Sequence, residues 1–102
     1  MRLPIRLRYV AQVEYDEAAD WYESRKRGLG FRFVSAIDKV LQQISNDPSR
    51  WPEVWPGIRE KSVPRWPFCI YYEVHGDHVM VLAVFHTSRN PTDWQSRGTN
   101  NP

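Results

Sequence analysis

Five side chains in the second half of the chain, Arg59, Lys61, Arg65, His86 and Arg89, are of types that hold phosphate oxygens or stabilise developing negative charge. Arg59 and Lys61 stand two apart, so on a strand they share a face. His86 and Arg89 close an almost wholly apolar run, Val79 to Phe85, and Trp94 and Arg97 follow. If the strands that carry them are neighbours, these groups gather on the sheet face left bare by helices, beside rings suited to stacking. A plainer reading stays open, in which Arg59 and Lys61 are the wet face of a one-sided sheet. Trp51, Trp55, Trp66 and Trp94 are candidates for partner contact, because tryptophan offers a large rigid area with a polar tip.

Other chemistries find no support. The sequence has no phosphate loop, no HExxH and no nucleophile elbow. His75, His78 and His86 lack metal spacing, and the first two flank a turn where water is their expected neighbour. A single cysteine, Cys69, rules out an internal disulfide and a cysteine-built metal site, so the chain suits a reducing cytoplasm and no cofactor is expected. Glu14 and Glu17 read as a solvated helix face and not as an acid–base pair. The net charge of +2 gives too weak a field to argue for nucleic-acid binding by itself.

At 102 residues there is room for one core only. No apolar run approaches the ~18 residues of a membrane span, so no membrane contact is expected. The basic N-terminus has no apolar segment behind it of the kind a signal peptide carries.

The elements that must position these residues follow from periodicity. Ile5, Leu7 and Tyr9 alternate with Arg6 and Arg8, which predicts a short strand. Ala11, Tyr15, Ala18 and Tyr22 form one stripe of a helix over 11–26. Gly28-Leu29-Gly30 interrupts it. Phe33, Ile37, Val40, Leu41 and Ile44 mark a second helix over 29–45, ended by Asn46-Asp47-Pro48. So short a link predicts an antiparallel helical pair. Residues 48–57 read as an irregular connector holding Trp51-Pro52 and Trp55-Pro56. Strands are expected over 58–63, 68–75 and 78–86, the last two joined at Gly76-Asp77. The expected fold is α+β, with an N-terminal strand and a helical hairpin packed on one face of a small, mostly antiparallel sheet. Residues 1–97 form the domain and 98–102 a short polar tail, expected to fray.

The order of several short segments is informative. They are Glu17-Ala18-Ala19-Asp20-Trp21-Tyr22-Glu23, Gly28-Leu29-Gly30-Phe31-Arg32-Phe33, Ile58-Arg59-Glu60-Lys61, Phe68-Cys69-Ile70-Tyr71-Tyr72-Glu73-Val74, Val81 to His86, Arg89-Asn90-Pro91 and Trp94. In this the chain resembles the RelE/ParE superfamily of toxins from bacterial type II toxin–antitoxin systems, and especially its ParE-like, plasmid-stabilisation branch. The resemblance runs from about Ile5 to Arg97. It implies a growth-inhibiting toxin silenced by a cognate antitoxin laid over its surface. It also implies one of two targets: DNA gyrase for ParE-like members, or mRNA on the ribosome for RelE-like ones. RelE-type cleavage relies on an arginine where this chain has Cys69, and on a richer basic strand than Arg59 and Lys61 provide. Three readings stand: a gyrase inhibitor without turnover, a ribosome-dependent endoribonuclease, and an antitoxin-binding module that is not toxic.

Overall fold

The computed structural model describes residues 2–99. Its elements are β1 (Ile5–Leu7), α1 (Tyr9–Arg25), α2 (Leu29–Asn46), β2 (Glu53–Trp55), β3 (Ile58–Ser62), β4 (Phe68–Val74), β5 (Val79–His86) and α3 (Thr92–Gln95). The five strands form one sheet in the order β1-β5-β4-β3-β2. β1 runs parallel to β5, and every other pairing is antiparallel. The predicted α+β architecture is the observed one.

The α1–α2 hairpin is made by two glycines. Gly28 takes the left-handed conformation with φ of 87°, which a side chain would resist. At Gly30 a Cβ would fall 2.6 Å from the Ala19 carbonyl oxygen and 2.9 Å from the Glu23 Cβ, so only glycine permits the close approach of the helices. Glu23, on the exposed face of α1, accepts hydrogen bonds from the Gly28 and Gly30 N–H groups at 2.9 and 3.0 Å. It thereby satisfies donors that the start of α2 leaves unpaired.

The predicted stripe of α2 is the core. Phe33, Ile37, Val40 and Ile44 are buried against Ile70, Tyr72, Val79, Val81 and Val84 of the sheet, while Ala11, Tyr15, Ala18 and Tyr22 join from α1. Phe33 sits among aromatic rings, with Tyr22, Trp66 and Phe68 at centroid distances between 5.0 and 5.3 Å.

Four local expectations are corrected. The first strand stops at Leu7 and α1 already begins at Tyr9, which is largely exposed. The connector contains a three-residue edge strand, β2, paired with β3. The sheet face away from the helices is not bare. A second apolar cluster, Ile58, Cys69, Tyr71, Leu82, Ala83 and Phe85, is covered by Trp94 of α3. The Trp94 ring stacks on Tyr71 at 3.9 Å and 10°. The chain continues tied down through Gly98, packed on Ile58, and Thr99, whose N–H and hydroxyl both donate to the buried Glu73 carboxylate. Those two residues of the expected tail are therefore not frayed, and 100–102 lie outside the described residues. No helix among the described residues is long and apolar enough to cross a membrane.

Candidate functional site

Residues paired across a sheet point to the same face. Arg59 pairs with Tyr72, Lys61 with Ile70 and Phe68 with His86, and Tyr72, Ile70 and Phe68 all belong to the helix-side core. The candidate cations of β3 and β5 thus lie on the helix side of the sheet, at its margins, and not on the far face where they were expected. They form two separate groups.

The first group surrounds the connector. The Arg59 guanidinium donates to the Ser49 and Trp51 carbonyl oxygens at 3.1 and 2.6 Å, so it staples the connector to β3. The Tyr72 hydroxyl donates to the Pro48 carbonyl at 2.7 Å and fixes the start of the same segment. Burial is the main reason the Tyr72 pKa is pushed up to about 12; nearby Arg59 pulls it down and Asp47 pushes it up. Lys61 and Arg50 both sit over the Trp51 ring, at 5.4 and 5.5 Å from its centroid. With Gln43, Asn46 and Asp47 these residues line a cleft of about 350 Å³. A neighbouring cleft of about 400 Å³ shares Gln43 and adds Lys39, Arg65 and Trp66.

Arg65 is the sole non-glycine residue among those described with positive φ, at 71°. The Trp66 N–H donates to the Val63 carbonyl, and Pro64 precedes Arg65. This is the type II turn pattern, whose third position ordinarily favours glycine. Trp66 is half-buried, with its ring at 4.8 Å from Tyr22 and 5.3 Å from Phe33. Trp55 lies on the edge strand and is 38 % exposed.

The second group lies where β5 leaves β1 behind. The Glu14 carboxylate, 10 % exposed, accepts from Arg89 at 2.7 Å, from Arg97 at 2.9 Å and from the Val84 N–H at 3.1 Å. Arg97 also donates to the Leu82 carbonyl at 3.0 Å. The Glu14–Arg97 pair therefore satisfies the open edge of β5 in place of a strand. Glu14 was expected in solvent; it is instead the centre of this cluster. Arg89 reaches Asp93 at 3.1 Å as well and lies 4.3 Å from the Phe85 ring centroid. Partial burial draws the Arg89 pKa down, but Glu14 and then Asp93 outweigh it and hold it above its ordinary value. His86 faces Phe68 edge-on, and its Nδ1 accepts from the Ser88 N–H at 3.1 Å, with the Ser88 hydroxyl 2.8 Å away.

Trp94, a candidate anchor by sequence, is only 5 % exposed and is committed to the second apolar cluster. Cys69 is buried under the same cluster; burial, with Glu60 adding, raises its thiol pKa. His75 and His78 stack in parallel at 4.8 Å across the β4–β5 turn, beside Glu73 and Asp77. Among the described residues no group of His, Cys, Asp or Glu is arranged to hold a metal. Lys39, Arg50 and Glu14 were missed by sequence reasoning. Glu14 had a legible signal: it falls three residues after Ala11 and four before Ala18, on the flank of the buried stripe.

The family model of the ParE toxin of the type II toxin–antitoxin system parDE matches residues 5–91. The chain belongs to the ParE toxin family. A solved structure titled as the chromosomal ParDE toxin–antitoxin system of P. aeruginosa is similar in fold, with a TM-score of 0.67 at 25 % sequence identity, over 85 % of this chain and 98 % of that one. None of the curated proteins matches. The matched span of the ParE family model includes both helices, all five strands and every candidate cation, and it ends at Pro91, just before α3. In this ParE family member, Trp94, Arg97 and Thr99 lie beyond the matched span.

Proposed function

We propose that this type II toxin arrests growth by acting on DNA gyrase as a protein inhibitor without turnover of its own, and that a cognate antitoxin silences it. The observation that carries this reading over the ribonuclease alternative is the separation of the candidate cations. In-line attack on a phosphate needs positive charge, a base and an acid around one point. Here Arg59 is spent on backbone carbonyls, Lys61 lies over Trp51, and Arg89 is held by Glu14 and Asp93. On the far sheet face Glu60 accepts from the Tyr71 hydroxyl and the buried Glu73 from Thr99, beside an apolar cluster covered by Trp94, a surface that suits no polyanion.

The antitoxin contact we assign to the connector and its clefts, with Trp51, Trp55 and Trp66 as apolar anchors and Lys61 and Arg65 at the rim. Target contact is assigned to the exposed end of β5, at His86 and Arg89. Induced expression with and without the antitoxin tests the proposal. Growth arrest with a DNA-damage response, relieved by the antitoxin, is the expected result. Arrest with cleaved ribosome-bound mRNA would favour the ribonuclease, and full growth would leave an antitoxin-binding module. Full toxicity of the His86→Ala, Arg89→Ala double variant would remove the assignment to this strand end.

A further inference from the structure

Helix α1 travels along β5 in the same direction. The Arg8 N–H, just before the helix, donates to the Val81 carbonyl, and further on the Glu14 carboxylate accepts from the Val84 N–H. Seven residues complete two helical turns, so Trp21 leaves α1 on the same face as Glu14, about 10.5 Å further along the axis. Over that advance β5 gains about three residues past Val84, which brings Trp21 level with the strand end at His86 and Thr87. A row of rings follows the same path: Trp21 to Tyr22 at 5.1 Å, Tyr22 to Phe68 at 6.3 Å and Phe68 to His86 at 5.2 Å.

Tyr22 and Phe68 belong to the core, whereas Trp21 is 53 % exposed. Its ring is nevertheless held. The Arg25 guanidinium, one turn on, lies 4.5 Å from the ring centroid, and Tyr22 meets it edge-on. Glu17 stands one turn before the ring and Asp20 beside it, while Arg25, Lys26 and Arg27 follow. None of these five charged groups forms an ion pair among the described residues. The clefts assigned to the antitoxin are lined from α2, the connector and the strands that follow, and by no residue of α1.

We infer that Trp21, clamped by Arg25, is the anchor of the surface through which the toxin holds its target, and that this surface runs from the hairpin tip to His86. A fixed indole beside a guanidinium is the kind of pair that carries binding energy at protein interfaces, and the mixed charges around it form the polar rim. The partner is a protein surface with an apolar slot for the ring and carboxylates for Arg25, Lys26 and Arg27. Glu17 and Asp20 select against DNA or an anionic membrane, whose phosphates they would repel. The partner's identity as gyrase rests on the function proposed above; the surface rests on the placement of Trp21 and its charges.

The test compares the unsubstituted chain with Trp21→Ala, Trp21→Phe and Arg25→Glu. Tyr9→Ala is the control, an exposed ring about 18 Å away along α1. Inhibition of purified gyrase, growth arrest on induction, binding to the cognate antitoxin and the denaturation midpoint are measured for each. The expected result is at least tenfold weaker inhibition and lost arrest in Trp21→Ala and Arg25→Glu, with partial recovery in Trp21→Phe. Inhibition by Tyr9→Ala should be unchanged, and the Trp21 and Arg25 variants should keep their midpoints and their antitoxin binding. Arrest that is lost in Trp21→Ala while the unsubstituted chain leaves gyrase active would keep the surface and remove gyrase as its target. Full inhibition and arrest in Trp21→Ala and Arg25→Glu would overturn the inference. So would antitoxin binding lost at an unchanged midpoint, or a dimer of the chain that Trp21→Ala converts to monomer. An unsubstituted chain that neither arrests growth nor inhibits gyrase would overturn both readings.

Discussion

Glu14 shows how much one side chain can carry. Its two oxygens bind two guanidiniums and a backbone N–H, and they close an edge of β5 that no strand covers. Hydrogen bonds to charged groups contribute roughly 1.5–3 kcal/mol each when partly buried, so Glu14→Ala should destabilise the chain by about 2–4 kcal/mol in a denaturant titration. Glu17→Ala, on the exposed face, should move stability by less than about 0.5 kcal/mol. Equal effects of the two would mean the cluster is ornamental. Cys69 makes a second test at this scale. Its thiol is buried and its pKa is raised, first by burial and then by Glu60, so the reactive thiolate is scarce. Alkylation of the native protein at neutral pH should be slow and should accelerate only with unfolding. Fast native labelling would show that the Trp94 cover opens readily.

At the level of elements, the helical pair is held by a tight crossing and an apolar stripe. Ile37, with no exposed surface, should cost roughly 2–5 kcal/mol when cut to Ala. Gly30→Ala inserts a methyl against the Ala19 carbonyl and should cost about 1–3 kcal/mol by forcing the helices apart. Arg65 behaves oppositely. Its left-handed backbone stores on the order of 1 kcal/mol, so Arg65→Gly should leave stability equal or slightly higher while weakening antitoxin binding. A clear loss of stability would instead show that the side chain packs. The helices and the three long strands were legible because each runs long enough to display its period. β2 spans three residues and α3 four, too short for any period to register. The register of the sheet was not legible either, and it decides which face Arg59, Lys61 and His86 occupy. That is why the cations were read as one cluster when the structure divides them. Trp94 announced itself as an aromatic residue, but only the stacked Tyr71 reveals that it is packing and not a free anchor.

For the molecule as a whole, three buried or half-buried tyrosines tie stability to pH. Burial, with Asp38 and Glu60 as hydrogen-bond acceptors, raises the pKa of Tyr15 and Tyr71, and Tyr72 is pushed up to about 12. The fold holds these phenols neutral, whereas the unfolded chain releases their protons near 10. Their contribution is intact below about pH 10 and is lost as pH rises through about 12. Denaturation midpoints should therefore be flat from neutral pH to about 9.5 and then fall, with a shallower fall in Tyr72→Phe. A midpoint that stays level to pH 12 would contradict the burial of these rings. Gyrase as the target is tested by a supercoiling assay with purified gyrase, relaxed plasmid and the whole toxin chain. The expected result is loss of supercoiled product or trapped cleaved DNA at toxin levels comparable to the enzyme, with mRNA on ribosomes left whole. Unimpaired supercoiling at large toxin excess, together with ribosome-dependent mRNA cleavage that disappears in His86→Ala, would contradict it.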